Sequence, residues 1–188
     1  MFPELFKLTS LNVRGITNFQ KRRTMFLWCR RKKSHLVFLQ ETHSKKLIES
    51  QWRNKWEGKI LFSHGSSNSA GVAILIRNGF DFKENLVILD PLGRYLIAKA
   101  TILDKQYVLV NIYAPNKDKD LLAFLGTIQK LISDNNLDDE ENIIVGGDFN
   151  CPIDPLLDKK GGVLSPRRAV VERILCMKSE FDLIDICL

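Results

Sequence analysis

No apolar run in this 188-residue chain approaches the ~18 residues that a membrane-spanning helix needs. The opening Met1-Phe2-Pro3-Glu4-Leu5 has no basic stretch followed by an apolar one, so no secretory signal is visible. Cysteine is sparse, and Cys29, Cys151, Cys176 and Cys187 show no paired spacing. That argues against both a zinc site and a disulfide framework, and no disulfide-linked partner is expected. A reducing, intracellular setting, nucleus or cytoplasm, fits such usage. The only histidines are His35, His43 and His64, and they cluster neither with each other nor with cysteine. Internal repeats, low-complexity tracts and linkers are also missing. One domain spanning residues 1–188 is therefore expected, with 45% hydrophobic and 27% charged residues, enough of each for a packed core and a solvated surface.

Acidic residues are absent from one conspicuous place. Lys21, Arg22, Arg23, Arg30, Arg31, Lys32 and Lys33 fall within thirteen residues that contain no Asp or Glu, and the whole chain carries a net +6. Like charges repel unless a polyanion relieves them, and nucleic acid is the obvious candidate. Arg30, Arg31, Lys32 and Lys33 are the candidate DNA contacts. A charge run taken alone is more often a solvated helix face.

Local patterns order the chain. Phe6 to Val13 reads as a strand, and Phe19 to Lys33 as a helix with Met25, Trp28 and Cys29 on one stripe. Leu36 to Gln40 is a short apolar strand ending at Glu41. Ser44 is placed to cap a helix running to about Trp56. Strands follow at Lys59 to His64 and Val72 to Ile76, joined by a Ser- and Gly-rich loop beside which His64 reads as a surface residue. Three more, Asn85 to Leu89, Tyr95 to Leu103 and Tyr107 to Tyr113, have connections short enough for antiparallel hairpins. Asp118 to Asn135 is the clearest helix, with a wide stripe of Leu121, Leu122, Phe124, Leu125, Ile128, Leu131 and Ile132. An acidic loop, Asp138 to Glu141, precedes an apolar strand starting at Ile143. A Pro- and Gly-rich loop, Pro152 to Pro166, leads to a helix carrying Val170, Val171, Ile174 and Leu175. Asp182 to Leu188 reads as a final strand. A meander followed by strand–helix–strand units implies an α/β fold with a mixed sheet. Ending on a strand with nothing to cover its edge suggests an incomplete chain.

The stretch Ile143-Ile144-Val145-Gly146-Gly147-Asp148-Phe149-Asn150 organises the rest. An apolar run ends in two glycines, where the backbone can bend or come close to something without a Cβ in the way. If the chain stays extended, Asp148 and Asn150 point to one side. The same residues also serve turns. Other strand ends carry polar groups that an apolar strand does not need: Asn12, Glu41, and Asn111 with Tyr113. Acids and amides without imidazole or thiolate suit a hard cation such as Mg²⁺, with Mn²⁺ as an alternative. Glu41 could anchor it, leaving Asp148 to take a proton from water. With the basic run, the pattern points to metal-assisted attack on a phosphodiester.

The blocks Leu11-Asn12-Val13-Arg14-Gly15, Leu39-Gln40-Glu41-Thr42-His43, Gly71-Val72-Ala73-Ile74-Leu75, Asn111-Ile112-Tyr113-Ala114-Pro115 and Gly146-Gly147-Asp148-Phe149-Asn150 resemble, in order, those of the endonuclease/exonuclease/phosphatase superfamily of DNase I and exonuclease III. The likeness is greatest to the N-terminal endonuclease domain of LINE-type non-LTR retrotransposon proteins. It implies a four-layer α/β/β/α sandwich of two mixed β-sheets with helices outside, here with the last strands missing. It implies Glu41 as a Mg²⁺ ligand with Asn12 beside it, and Asp148 as activator of the attacking water. Asn150 and Tyr113 would hold the scissile phosphate, and the product would be a nicked target strand. The chain departs from the family in having no Ser-Asp-His motif after the last strand. That implies weak nicking by this length of chain. The alternatives are an impaired fragment that retains DNA binding, and a phosphodiesterase or phosphatase acting on another substrate.

Overall fold

The structure is a computed structural model that describes residues 5–66, 69–139, 142–152 and 167–186. The chain divides into two compact units, Met1–Tyr113 with Ile144–Asp148, and Ala114–Ile143 with Phe149–Leu188.

The first unit holds two four-stranded sheets. One runs in the order β1 (Leu8–Asn12), β2 (Leu36–Gln40), β4 (Val72–Arg77), β3 (Gly58–Ser63). β1 and β2 are parallel, with Asn12 opposite Gln40, and the other pairings are antiparallel, so the sheet is mixed. The second sheet runs β5 (Phe82–Leu89), β6 (Tyr95–Ile102), β7 (Lys105–Tyr113), β8 (Ile143–Asp148). β5, β6 and β7 form the expected antiparallel meander.

Side-chain alternation sorts the first sheet's residues between two cores. Val37, Leu39, Ala73 and Leu75 meet helix α1 (Phe19–Arg31) and helix α2 (Glu49–Trp56) through Met25, Phe26, Cys29, Trp52 and Trp56. Leu36, Phe38, Ile74 and Ile76 face the other way and pack on Leu96, Ala98, Ala100 and Leu109 of the second sheet. β2 is thus covered on both faces, which is why it reads as an unbroken apolar run rather than an alternating one. Helices, sheet and sheet make the layered α/β architecture implied by the sequence.

In the second unit, α3 (Asp118–Asp134) packs on α4 (Arg168–Glu180). Leu121, Leu125, Ile128 and Ile132 of the α3 stripe are buried, as are Val170, Ile174 and Met177 of α4. Gln129 of α3 donates a hydrogen bond to Glu180 of α4.

Several expectations need correction. On α1 the buried stripe is Arg22, Met25, Phe26 and Cys29, while Trp28 is exposed beneath the Lys32 ammonium. Arg22 is buried because carbonyls are available to it: its guanidinium donates to Ile16 O at 3.1 Å and Thr17 O at 2.8 Å. Ser44 caps no helix; a short 3-10 turn, Lys46–Ile48, precedes α2, and neither start has a side-chain cap. His64 is only 22% exposed and is hydrogen-bonded through both ring nitrogens. Residues 182–186 form no strand; Phe181 N bonds back to Met177 O and Leu183 N to Lys178 O, closing off α4 instead. Asp138 and Asp139 of the acidic loop are described, but Glu140 and Glu141 are not, and of the Pro- and Gly-rich loop residues 153–166 lie outside the described residues.

Candidate active site

Parallel pairing of β1 and β2 brings their C-terminal ends side by side, which places Asn12 next to Glu41. β8 delivers Asp148 to the same place. The Asn12 amide nitrogen joins the two acids: Nδ2 donates to Glu41 Oε1 at 2.8 Å and to Asp148 Oδ2 at 2.7 Å. Its own oxygen accepts from Arg14 N at 3.0 Å, which sets the amide orientation. An amide whose two N–H groups fork to two carboxylates holds them close together despite their repulsion.

The backbone there is unusual. Arg14, Glu41 and His43 all have left-handed φ, at 46°, 51° and 53°. Such residues carry strain that only surrounding bonds can hold in place. Those bonds are present. Gly15 N donates to Glu41 O at 2.6 Å, Ile16 N to Thr42 O at 3.1 Å, Thr42 N to Gly71 O at 2.9 Å, and His43 N to Ala70 O at 3.0 Å. The His43 ring lies over Gly15, so close that a Cβ there would come within 2.7 Å of Nδ1.

Gly147 explains how Asp148 arrives. Its φ is +135°, and a Cβ built on it would fall 2.0 Å from Ile112 O of β7. The close approach that the sequence suggested for this glycine pair is therefore real at Gly147.

Tyr113, at the end of β7, has its phenol pushed above the usual tyrosine range. Burial is the main cause, followed by hydrogen bonding to Glu41, the Glu41 charge and the Asp148 charge, with Arg94 pulling the other way. The phenol therefore stays a proton donor at neutral pH. Asn111, two residues earlier on β7, plays a different part. It is fully buried, donating to Leu39 O at 3.1 Å and Ala73 O at 2.9 Å and accepting from Gln40 Nε2 at 2.7 Å. It ties the sheets together and is not at a surface.

Asn12, Glu41, Tyr113 and Asp148 are thus gathered in the first unit. Asn150 belongs to the second unit. β8 ends at Asp148, and Asn150 has φ +50°, so strand alternation does not carry over from Asp148 to Asn150. The Asn150 amide donates to Ala114 O at 2.6 Å, and its carbonyl accepts from Arg167. Arg30, Arg31, Lys32 and Lys33 lie at the other end of the first sheet: Lys7, just before β1, bonds Lys32 O through Nζ at 2.9 Å. A five-residue strand separates that end from Asn12 by ~16 Å. Arg30 is paired with Glu57 at 3.3 Å, and all four side chains are exposed.

The gathered donors are carboxylate, amide and phenol oxygens. That set fits Mg²⁺, which takes one or two carboxylates and fills its shell with water and phosphate oxygens. Among the described residues no group of three or more His, Cys, Asp or Glu is placed to hold a metal. Cys29 and Cys176 are free thiols, and burial pushes Cys29 up to about 11. No helix among the described residues is long and apolar enough to cross a membrane.

Residues 9–162 match the sequence model of the Endonuclease/Exonuclease/phosphatase family. Over 147 residues the chain is 28% identical to the Transposon TX1 uncharacterized 149 kDa protein of Xenopus laevis, a match covering 78% of this chain and 11% of that protein. Among solved structures it is similar to an AP endonuclease from Archaeoglobus fulgidus, with a TM-score of 0.62 and 20% identity over 92% of this chain and 71% of the other. It is also similar to truncated TDP2 of Caenorhabditis elegans, with a TM-score of 0.54 and 18% identity over 71% and 56%.

Proposed function

From the endonuclease/exonuclease/phosphatase family, to which this chain belongs, we propose a narrower role: Mg²⁺-dependent hydrolysis of a phosphodiester in DNA, as the endonuclease domain of a LINE-type retrotransposon protein that nicks a target strand. The observation that carries the chemistry is the Asn12 amide holding Glu41 and Asp148 together. The Xenopus transposon relative supports the retrotransposon setting, and the Archaeoglobus AP endonuclease supports DNA as the substrate class. The setting is intracellular, in nucleus or cytoplasm.

Each residue has a part in this reading. Glu41 would hold the Mg²⁺, with Asn12 beside it. Once bound, the cation would neutralise phosphate charge. Asp148 accepts a proton from the attacking water, and the bond from Asn12 to its Oδ2 fixes which way its carboxylate faces. Tyr113, kept protonated, would turn its single hydroxyl hydrogen from Glu41 to a phosphate oxygen and stabilise the charge that grows there.

Nicking of supercoiled plasmid with and without Mg²⁺ tests this. Asp148→Asn should bring the weak Mg²⁺-dependent nicking of this chain down to its level without Mg²⁺, since a positioned proton acceptor is usually worth ~10²-fold or more. Glu41→Gln should remove the response to Mg²⁺, and Mn²⁺ should substitute for it in the unaltered protein. Equal nicking by the protein and its Asp148→Asn variant would refute the assignment.

A further inference from the structure

We infer that Thr42, Ser44, His64 and Glu49 form a hydrogen-bonded relay that holds the strained Glu41 backbone in place, making His64 a positioning residue for the Glu41 carboxylate. The inference deepens the proposed metal site and rests on that reading for its consequence, though not for its geometry.

Glu41 and His43, both left-handed, flank Thr42, which is fully buried. From Thr42 the relay leads away from the site. Thr42 Oγ1 donates to Ser44 Oγ at 3.1 Å and accepts from Ser44 N at 3.3 Å. Ser44 Oγ meets His64 Nδ1 at 2.9 Å, and His64 Nε2 meets Glu49 Oε1 at 2.8 Å. Arg53 donates to Glu49 Oε2 at 2.9 Å and to Ile60 O at 3.1 Å, which fastens the far end to α2 and β3. The His64 ring is stacked on Phe62 at 5.2 Å, so its plane is set as well.

In the neutral ring one arrangement of protons satisfies every partner. The Glu49 carboxylate is an acceptor, so Nε2 must carry the hydrogen. With Nδ1 bare in that ring form, Ser44 Oγ accepts from Thr42 and gives its own hydrogen to Nδ1. The neutral Nε2–H tautomer satisfies every link, whereas the other tautomer would set a ring lone pair against the carboxylate. Serine, histidine and an acid in a row resemble a nucleophile relay, but Ser44 is fully buried and no substrate could reach it. What the relay does instead is fix Thr42, and with it the turn that aims Glu41. The fit is tight: a Cβ on Gly71 would come within 2.5 Å of Thr42 Oγ1.

The test uses the whole chain. At a pH where the His64 ring is neutral, nitrogen-15 NMR should show the Nε2–H tautomer alone. Ser44→Ala and His64→Phe, the latter keeping the stack on Phe62, should each speed exchange of the Thr42 amide by ~10-fold or more. In calorimetry with Mg²⁺ alone both should weaken binding by ~10-fold or more, the usual effect of removing a group that orients a metal ligand. His64→Gln, which keeps a donor for Glu49, should recover part of that affinity. Should His64→Phe not fold, Ser44→Ala, which deletes one atom, decides. The Nδ1–H tautomer, or unchanged Thr42 exchange in folded Ser44→Ala, would overturn the relay. Glu41→Gln is run alongside. Mg²⁺ affinity in Glu41→Gln equal to that of the unaltered protein, or no measurable affinity in the unaltered protein, would sink the metal reading by itself, while tautomer and exchange would still decide the relay.

Discussion

Gly147→Ala is the most informative single substitution. Two costs combine at this position. The backbone φ of +135° lies where residues with a Cβ are strained, which costs ~1–3 kcal/mol. The new methyl would also fall 2.0 Å from Ile112 O and 2.8 Å from Ile112 N. Those are backbone atoms of β7 and cannot rotate aside as a side-chain tip could, so β8 and β7 would have to separate. Overpacking of that kind costs a further ~1–3 kcal/mol or more. The total, ~2–6 kcal/mol, is a large part of the ~5–15 kcal/mol that holds a domain folded. Gly79→Ala is the matched control. It too has positive φ, +73°, but nothing lies within 4 Å of its built Cβ, so it bears strain alone. Urea unfolding followed by tryptophan fluorescence gives the comparison. With m near ~2 kcal/mol/M, a destabilisation of ~4 kcal/mol moves the midpoint by ~2 M. Gly147→Ala should unfold well below Gly79→Ala, and any residual fold should have Asp148 displaced. Equal midpoints for the two variants would refute the close-approach argument and leave Gly147 as a turn glycine only.

Other predictions concern charge. Tyr113 should ionise above the usual tyrosine range, and Glu41→Gln, by removing a hydrogen-bond partner and a negative charge, should bring it down; absorbance titration of the tyrosinates reads this directly. Glu49 should titrate below the ordinary glutamate value: burial raises it, but hydrogen bonds from His64 and Arg53, together with the Arg53 and His64 charges, more than offset that. Its contribution to stability is therefore full above the unfolded value and lost as pH falls through the lower folded one, and acid unfolding of Glu49→Gln should lack that phase. Replacing Arg30, Arg31, Lys32 and Lys33 with Ser should flatten the salt dependence of DNA binding by ~0.9 log units for each phosphate that the run no longer neutralises. An unchanged slope would mean that this run, ~16 Å of strand from Asn12, is only solvated surface.

Much of the fold was legible because its signals are local. The continuous run Leu36 to Gln40, the hairpins around Asp104-Lys105, and the α3 stripe each announce themselves within a few residues, since strand and helix periods are properties of neighbouring positions. Asn12, Glu41, Tyr113 and Asp148 stood out for a related reason, as polar groups closing apolar strands. What the sequence alone could not decide was partnership. Asn12 reaches Asp148 across a separation of 136 positions, and only the sheet topology brings them to 2.7 Å. Asn111 looked like another site residue until both sheets closed around it. His64 and Ser44, 20 positions apart, gave no local sign of their bond, and Ser44 was free to read as a helix cap until His64 took its hydroxyl. Arg22 is buried while Trp28 is exposed because the Ile16 and Thr17 carbonyls take its Nη1 hydrogens, and no property of α1 by itself records where those carbonyls are. Periodicity is set by bonds along the chain, whereas the pairing of polar groups is set by which surfaces meet, and that is determined only when the sheets and helices pack.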